Sequence, residues 1–191
     1  CTLADIYNLG LWRSFTVNQK EFFNSSGEFL VVFNTLNDKP TSVVFRGLKE
    51  KAFLDYSIFP SIYGLDLINP DFKYGDWLLL TEGIYDADSF RHIHNDTVAL
   101  LTSSITVMQS EILNTLTDRF IIGFDSDYGG RTGTEKSIKR LKQVNSLCSI
   151  QKLAVYGSDK DLGIMQELKG NPTEYQRRYD YYSSMVRGVV S

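Results

Sequence analysis

The chain has 191 residues, 42% of them hydrophobic and 23% charged, which is an ordinary composition for a globular protein. Its net charge of −3 argues against a strongly basic nucleic-acid-binding protein, and no apolar run approaches the ~18 residues of a membrane span. Cys1 and Cys148 lack partners at zinc-ribbon spacing and indicate reduced thiols of an intracellular protein. Because the chain does not begin with Met, we expect it to be a domain of a longer protein.

Residues 1–76 predict a small α+β lobe. Glu28–Asn34 and Thr41–Gly47 are rich in β-branched and aromatic residues, and the turn-forming residues Asn37–Pro40 lie between them. This pattern predicts a β-hairpin. Residues 48–76 contain two prolines and predict irregular or mixed structure.

From Trp77 onward, strand patterns alternate with helical ones. The predicted strands are Trp77–Thr81, Thr97–Leu101, Phe120–Phe124 and Gln151–Val155. The predicted helices are Asp86–Ile93, Thr106–Leu116, Thr132–Val144, Gly163–Leu168 and, after an N-cap at Asn171, Thr173–Val190. This alternation predicts an α/β fold: a four-stranded parallel sheet flanked by helices over residues 77–168, followed by a C-terminal helical segment over residues 169–191.

Carboxylates follow three of the predicted strands, at the edge where parallel sheets bind ligands. They are Glu82, Asp86, Asp125, Asp127 and Asp161. Asp125 and Asp127 would lie on the same side of an extended segment. Asp86 has an alternative interpretation as a helix N-cap. Converging carboxylates need a cation between them, and Mg²⁺ or Mn²⁺ prefers oxygen ligands.

The segment after Asp127 favours phosphate binding. Gly129 and Gly130 precede a basic helix, where backbone N–H groups can approach a phosphate, although the order of residues excludes a P-loop. Residues 1–130 hold 9 Lys/Arg and 17 Asp/Glu, whereas residues 131–191 hold 11 and 6. An acidic site followed by a basic segment is typical of an enzyme that uses metal and phosphate, and chance asymmetry of solvated surfaces is the alternative.

Three motifs resemble the TOPRIM domain, which DnaG-type primases share with topoisomerases of types IA and II and with OLD-type nucleases. The motifs are TEGIYDADSF, FDSDYGGRTG and GSDKDLGIM. The upstream stretch VVFRGLKEKAFLDYSIFPSIYGLDLI resembles the catalytic core of a DnaG-type or phage-type primase. The resemblance covers roughly residues 28–168 and departs from the family at Gly163, where many primases have a second Asp.

The resemblance implies roles for ten residues. Glu82, Asp125 and Asp127 would be catalytic, and together with Asp86 and Asp161 they would hold two or more Mg²⁺ or Mn²⁺ ions. The residues that would contact nucleotide or DNA are Arg46, Lys51, Gly130, Arg131 and Lys160. The implied function is synthesis of RNA primers from NTPs on a single-stranded DNA template.

The resemblance also implies partners and a location. A zinc-binding module and a replicative helicase would lie outside this chain, and the protein would work without a membrane, in the cytoplasm of a bacterium or of a phage-infected cell. Two alternatives stay open. One is a TOPRIM nuclease that cleaves phosphodiesters with the same carboxylates, and the other is a non-catalytic module that binds replication partners.

Overall fold

The computed structural model describes residues 29–36, 39–47, 53–57, 61–157, 159 and 161–190. The chain divides into two compact units, residues 1–61 and residues 62–191. The domain boundaries expected from the sequence, after residues 76 and 168, stay predictions.

The described part of the first unit is an antiparallel sheet in the order β1-β2-β3. Its strands are β1 Phe29–Leu36, β2 Lys39–Gly47 and β3 Phe53–Ser57. β1 and β2 form the predicted hairpin, with Phe29 opposite Gly47, while turn residues 37 and 38 lie outside the described residues. The sequence predicts irregular or mixed structure for residues 48–76 and does not specify the strand β3 within them. Its sequence FLDYS is short and contains an Asp, so its strand conformation depends on pairing with β2.

The second unit contains the predicted four-stranded parallel sheet, in the order β5-β4-β6-β7. Its strands are β4 Trp77–Thr81, β5 Thr97–Ala99, β6 Arg119–Gly123 and β7 Ser149–Lys152. β5 ends two residues earlier than predicted because Leu101 has a left-handed backbone (φ 60°), which a strand cannot continue through. β7 begins and ends earlier than predicted because its residues pair in register with 119–122 of β6.

Helices cover both faces of this sheet, as the sequence predicts. They are α1 Ile84–Phe90, α2 Val107–Leu116, α3 Tyr128–Val144, α4 Ile164–Glu167 and α5 Pro172–Val190. Short 3₁₀ turns lie at Leu65–Leu67 and Leu168–Gly170. None of the helices among the described residues is long and apolar enough to cross a membrane.

Alternation along the strands separates two hydrophobic cores. Leu78 and Leu80 of β4 pack on one face with residues of α2 and α3, in the core that also buries the free thiol of Cys148. Leu79 packs on the other face with Phe90 of α1 and with Tyr182 of α5. The central strands β4 and β6 are apolar along most of their length because both of their faces are buried, whereas the edge strand β7 is largely exposed.

Two helices begin earlier than predicted because an Asp satisfies their first turn. α1 begins at Ile84, and Asp86 in its first turn accepts the backbone N–H of Gly83 at 3.0 Å. α3 begins at Tyr128 because the side chain of Asp127 is its N-cap. The predicted N-cap of α5 is confirmed, since the side chain of Asn171 accepts the N–H of Glu174 at 3.3 Å.

The Tyr63-Gly64 segment is fixed to the edge of the sheet and to the end of α1. Tyr63 pairs with Ala99 of β5, and its hydroxyl donates to Asp88 at 2.9 Å. Gly64 has φ 87°, and a Cβ there would lie 1.8 Å from Nη2 of Arg91. Both the backbone conformation and the lack of space therefore require glycine at this position.

Candidate active site

Three acidic loops follow adjacent parallel strands. The first follows β4 and carries Glu82, the second follows β6 and carries Asp125 and Asp127, and the third follows β7 and carries Asp159 and Asp161. Because β4, β6 and β7 are neighbours in the sheet, the loops lie side by side at its carboxyl edge.

Glu82 and Asp125 lie in direct contact, as the strand pattern predicts. The backbone N–H of Asp125 donates to Oε1 of Glu82 at 3.1 Å. Burial and then the negative charge of Asp125 raise the pKa of Glu82 to about 7. Near neutral pH the Glu82 carboxyl group is therefore partly protonated unless a cation stabilises its negative charge.

Asp86 lies in the first turn of α1, whose N-cap is Gly83, so the interpretation of Asp86 as the N-cap was wrong, while its role in holding a metal stays a prediction. Its Oδ2 accepts the N–H of Gly83, so it stabilises the start of α1. Burial and then the charge of Asp161 raise its pKa to about 6, so it also lies within the electrostatic reach of the third loop. A Cβ on Gly163 would lie 2.9 Å from Oδ1 of Asp86 and 3.1 Å from Oδ1 of Asp161.

Asp127 caps the helix that follows the second strand end. β6 ends at Gly123, and Oδ1 of Asp127 accepts the N–H of Gly130 at 2.9 Å as the cap of α3. Asp125 and Asp127 therefore lie beyond the strand, and their position on the same side of the segment stays a prediction. Asp127 also acts on Glu82, whose pKa its charge helps to raise.

Close packing against the second loop requires glycine at position 130, which the sequence did not indicate. Gly130 is buried, and a Cβ at this position would lie 2.1 Å from the carbonyl oxygen of Asp125. The first turn of α3 thus packs against the backbone of the second loop. Arg131 is exposed, and its guanidinium donates to the carbonyl oxygen of Ser126 in the same loop.

The other predicted contacts to nucleotide or DNA are described less fully. Arg46 lies on β2, where its backbone pairs with Leu30 and Phe53. Lys51 and Lys160 lie outside the described residues.

Sequence reasoning missed the residues that hold the third loop. Asp159 is paired with Arg178 of α5, and the hydroxyl of Tyr182 accepts the N–H of Tyr156 at 3.0 Å. No local spacing connects these residues, because 19 to 26 positions separate the partners.

The donor set fits a hard divalent cation in its chemistry. Its donors are carboxylate oxygens, and the raised pKa values of Glu82 and Asp86 reflect burial first and then the charges of neighbouring carboxylates, which a cation would offset. Among the described residues, no three Asp, Glu, His or Cys side chains already lie close enough together to hold a metal ion. The strongest charge effects on Glu82 and Asp86 come from Asp125 and Asp161, respectively.

A groove of about 440 Å³ opens beside Asp125, between β7 and the start of α3. Phe124 and Leu153 belong to its apolar lining, and its charged lining consists of Asp125, Arg131, Glu135 and Lys152. Nζ of Lys152 lies 3.8 Å from Oε1 of Glu135, so part of the positive charge is balanced within the groove.

Comparison with known proteins agrees with this arrangement. Residues 79–162 match the Toprim-like family, and this range includes all three acidic loops. No curated protein sequence matches the chain significantly.

Several solved structures share the fold at low sequence identity. The Aquifex aeolicus primase fragment with zinc-binding and RNA polymerase domains matches at TM-score 0.63 and 20% identity, over 79% of this chain and 39% of that one. The Escherichia coli primase catalytic core matches at 0.61 and 19%, over 80% and 52%. The primase fragment of the bacteriophage T7 primase-helicase matches at 0.59 and 19%, over 78% and 62%.

The chain thus spans between two fifths and two thirds of the length of these primase structures. The range of the sequence match contains the parallel strands β4 to β7 apart from the first two residues of β4, and it contains the three acidic loops that follow β4, β6 and β7. The chain shares the fold of the solved catalytic cores of DNA primases, and residues 79–162 within it match the Toprim-like family.

Proposed function

We propose that this chain is the catalytic core of a DNA primase, which joins NTPs into an RNA primer on a single-stranded DNA template. The observation that carries the proposal is the contact between Glu82 and Asp125 at the ends of adjacent parallel strands, with the pKa of Glu82 raised to about 7. The likeness to primase cores supports the primase reaction over other chemistry at such a pair.

In this proposal Glu82, Asp125 and Asp127 hold Mg²⁺ or Mn²⁺, with Asp86 and Asp161 beside them. Bound divalent ions would neutralise the negative charge that builds up at the α-phosphate and on the leaving pyrophosphate. The carboxylates keep these ions at the edge of the sheet. Because Asp127 uses one oxygen to cap α3, its contribution is fixed in direction by the helix.

The nucleotide would lie in the groove beside Asp125. The apolar surface at Phe124 and Leu153 suits the flat face of a base, and Arg131 and Lys152 suit phosphate. Gly130 lets the first turn of α3 lie close to the second loop. The proposed DNA or nucleotide contacts of Arg46, Lys51 and Lys160 rest on the resemblance of their motifs alone.

The same proposal extends to partners. A zinc-binding module and a replicative helicase would act with this core during initiation, and the reaction would take place in the cytoplasm of a bacterium or of a phage-infected cell. The matched structures include a primase with its zinc-binding domain and the primase fragment of a primase-helicase, which supports this expectation.

The test is a primer synthesis assay with single-stranded DNA, labelled NTPs and Mg²⁺ or Mn²⁺. We expect oligoribonucleotides from the wild type and at least a ~100-fold loss for Glu82→Gln and Asp125→Asn, because each removes a charge at the reacting phosphates. Asp71→Asn is the control, since Asp71 is exposed and lies before β4, at the other end of the strands.

The alternative functions predict different products. Cleavage of DNA that requires the metal and Asp125, without oligoribonucleotides, would replace the primase by a nuclease. Absence of both activities, together with DNA binding that Asp125→Asn leaves unchanged, would favour the non-catalytic module.

A further inference from the structure

The third acidic loop is held by a helix that follows the whole Toprim-like match. Arg178 of α5 donates from Nε and Nη2 to the two oxygens of Asp159, both at 3.1 Å. This two-pronged contact fixes the carboxylate in direction as well as in distance.

The pair is shielded from solvent. The Asp159 side chain is 6% exposed and that of Arg178 is 15% exposed. Burying two charges is favourable only when the geometry is good and further groups interact with them. Arg178 has two such further partners, Glu174 and Tyr156. Its Nη1 donates to Glu174, and its guanidinium lies 4.3 Å from the centre of the Tyr156 ring.

α5 contacts the chain before Asp159 as well. The Tyr182 hydroxyl accepts the N–H of Tyr156 at 3.0 Å, and Tyr182 itself is fully buried in the core that includes Leu162. The backbone N–H of Asp159 in turn donates to the carbonyl of Tyr156. The segment that leads to Asp161 is therefore attached to α5 at two points.

The same segment contacts the second acidic loop. The hydroxyl of Ser126, between Asp125 and Asp127, donates to the carbonyl oxygen of Asp159 at 3.1 Å. Two residues later, Asp161 lies near Asp86. The residue that Arg178 holds, Asp159, is thus connected to the second acidic loop through Ser126 and to Asp161 through the chain itself.

We propose that Arg178 is a positioning residue for the divalent-metal site: through Asp159 it sets the place of the third acidic loop, and with it the affinity of the carboxylates for metal. This inference rests on the proposed function, because it assigns Arg178 to the metal site proposed there.

Arg177 provides a matched control on the same helix. It is also an arginine that pairs with Glu174, at 2.8 Å, but its side chain is 58% exposed and pairs with no residue of the third loop in the described part of the chain. Loss of charge from α5 and loss of a partner for Glu174 are common to both variants, whereas loss of the Asp159 contact occurs only at Arg178.

The experiment is Mn²⁺ binding to the 191-residue chain, followed by the electron paramagnetic resonance signal of free Mn²⁺. We expect the Kd of Arg178→Ala to rise about 10–100-fold, the range seen when a residue that orients a metal ligand is removed. Arg177→Ala should stay within about twofold of the wild type, because its charge is exposed to solvent. Circular dichroism and thermal melting report whether each variant is folded.

Arg178→Lys keeps the inference testable if Arg178→Ala does not fold. Lysine keeps the charge but lacks the planar fork, so the variant should fold and bind Mn²⁺ about tenfold more weakly. Wild-type affinity in folded Arg178→Ala or Arg178→Lys would overturn the inference while leaving the metal site in place. If the wild type binds no Mn²⁺, the metal site and the inference both fail, which is a separate outcome.

Discussion

The second and third acidic loops end neighbouring parallel strands, but different parts of the chain hold them. The second loop is fixed by its own continuation, because Asp127 caps α3, Gly130 packs under the carbonyl of Asp125, and Arg131 donates to Ser126. The third loop is fixed by Arg178 and Tyr182, which lie 19 and 26 positions beyond their partners. The difference shows that equivalent positions at one edge of a sheet can depend on local or on distant sequence.

The largest effect is expected where the backbone of the second loop leaves no space. The Cβ of Gly130→Ala would lie 2.1 Å from the carbonyl oxygen of Asp125, so either the loop or the start of α3 must move. We expect the free energy of unfolding to fall by about 2–3 kcal/mol or more, as in other overpacked sites. Urea denaturation measures it.

Gly129→Ala is the control for this substitution. A Cβ there meets Oδ1 of the exposed Asp127 at 3.2 Å and no backbone atom, and alanine favours a helix by up to ~1 kcal/mol over glycine. We expect little change or a small gain in stability. Equal losses in both variants would contradict the local account of the second loop.

For the third loop, Tyr182→Phe should weaken the distant attachment without opening a cavity. The ring stays in the core, but the backbone N–H of Tyr156 loses its acceptor, which costs about 1–2 kcal/mol for a partly buried donor. Thermal unfolding measures this loss. Tyr179→Phe is the control. It keeps the ring that stacks on Tyr175 with centroids 6.4 Å apart and removes only the hydroxyl, so stability should change little. A loss confined to Tyr179→Phe would contradict the role of Tyr182.

The second and third loops should also contribute differently to the pH dependence of stability, because Asp125 of the second loop acts on Glu82 and Asp161 of the third loop acts on Asp86. The pKa of Glu82 is raised from 4.5 to about 7 and that of Asp86 from 3.8 to about 6. A raised carboxyl pKa stabilises the fold below the unfolded value, and this contribution disappears as the pH rises through the folded value. The metal-free chain should therefore lose about 1 kcal/mol of stability between about pH 4 and about pH 7, after allowance for solvent screening.

Two substitutions assign this pH dependence to the separate loops. Asp125→Asn removes the charge that acts most strongly on Glu82, and Asp161→Asn removes the one that acts most strongly on Asp86. The first should flatten the stability profile mainly near pH 7 and the second mainly near pH 6. Denaturation at a series of pH values tests this, and stability that rises over the same range in the metal-free wild type would refute the assignment.

The smallest effect is expected for Arg131→Ala. Its guanidinium donates to the carbonyl of Ser126 but is exposed, so the loss of stability should be about 0.5 kcal/mol. Thermal unfolding provides the measurement. A loss as large as that of Gly130→Ala would mean that this side chain, rather than backbone packing, fixes the second loop.

The features that depend on neighbouring residues were the ones that the sequence predicted well. Buried apolar runs identified β4 and β6, and the rule for the ends of parallel strands brought Glu82 to Asp125. The two glycines after Asp127 indicated a loop, but the cap of Asp127 makes them the first turn of α3. The competing signal was present, because Asp is a favoured N-cap.

The features that depend on distant pairing were not predicted. β3 is a strand because β2 offers it a partner, and Asp159 is buried because Arg178 reaches it from another helix. Neither FLDYS nor GSDKD contains the information that identifies its partner. Such pairings follow from the packing of α5 on the sheet, which a reading of local pattern does not determine.

The Toprim-like match ends at residue 162, while α5 begins at Pro172. A gene segment cut at the limit of the match would encode every carboxylate of the site, yet it would lack Tyr182, Val186 and the partner of Asp159. If such a unit is transferred between proteins by recombination, its third acidic loop must find a new support in the recipient chain. The structural unit that supports the site is therefore longer than the segment in which its acidic motifs can be recognised.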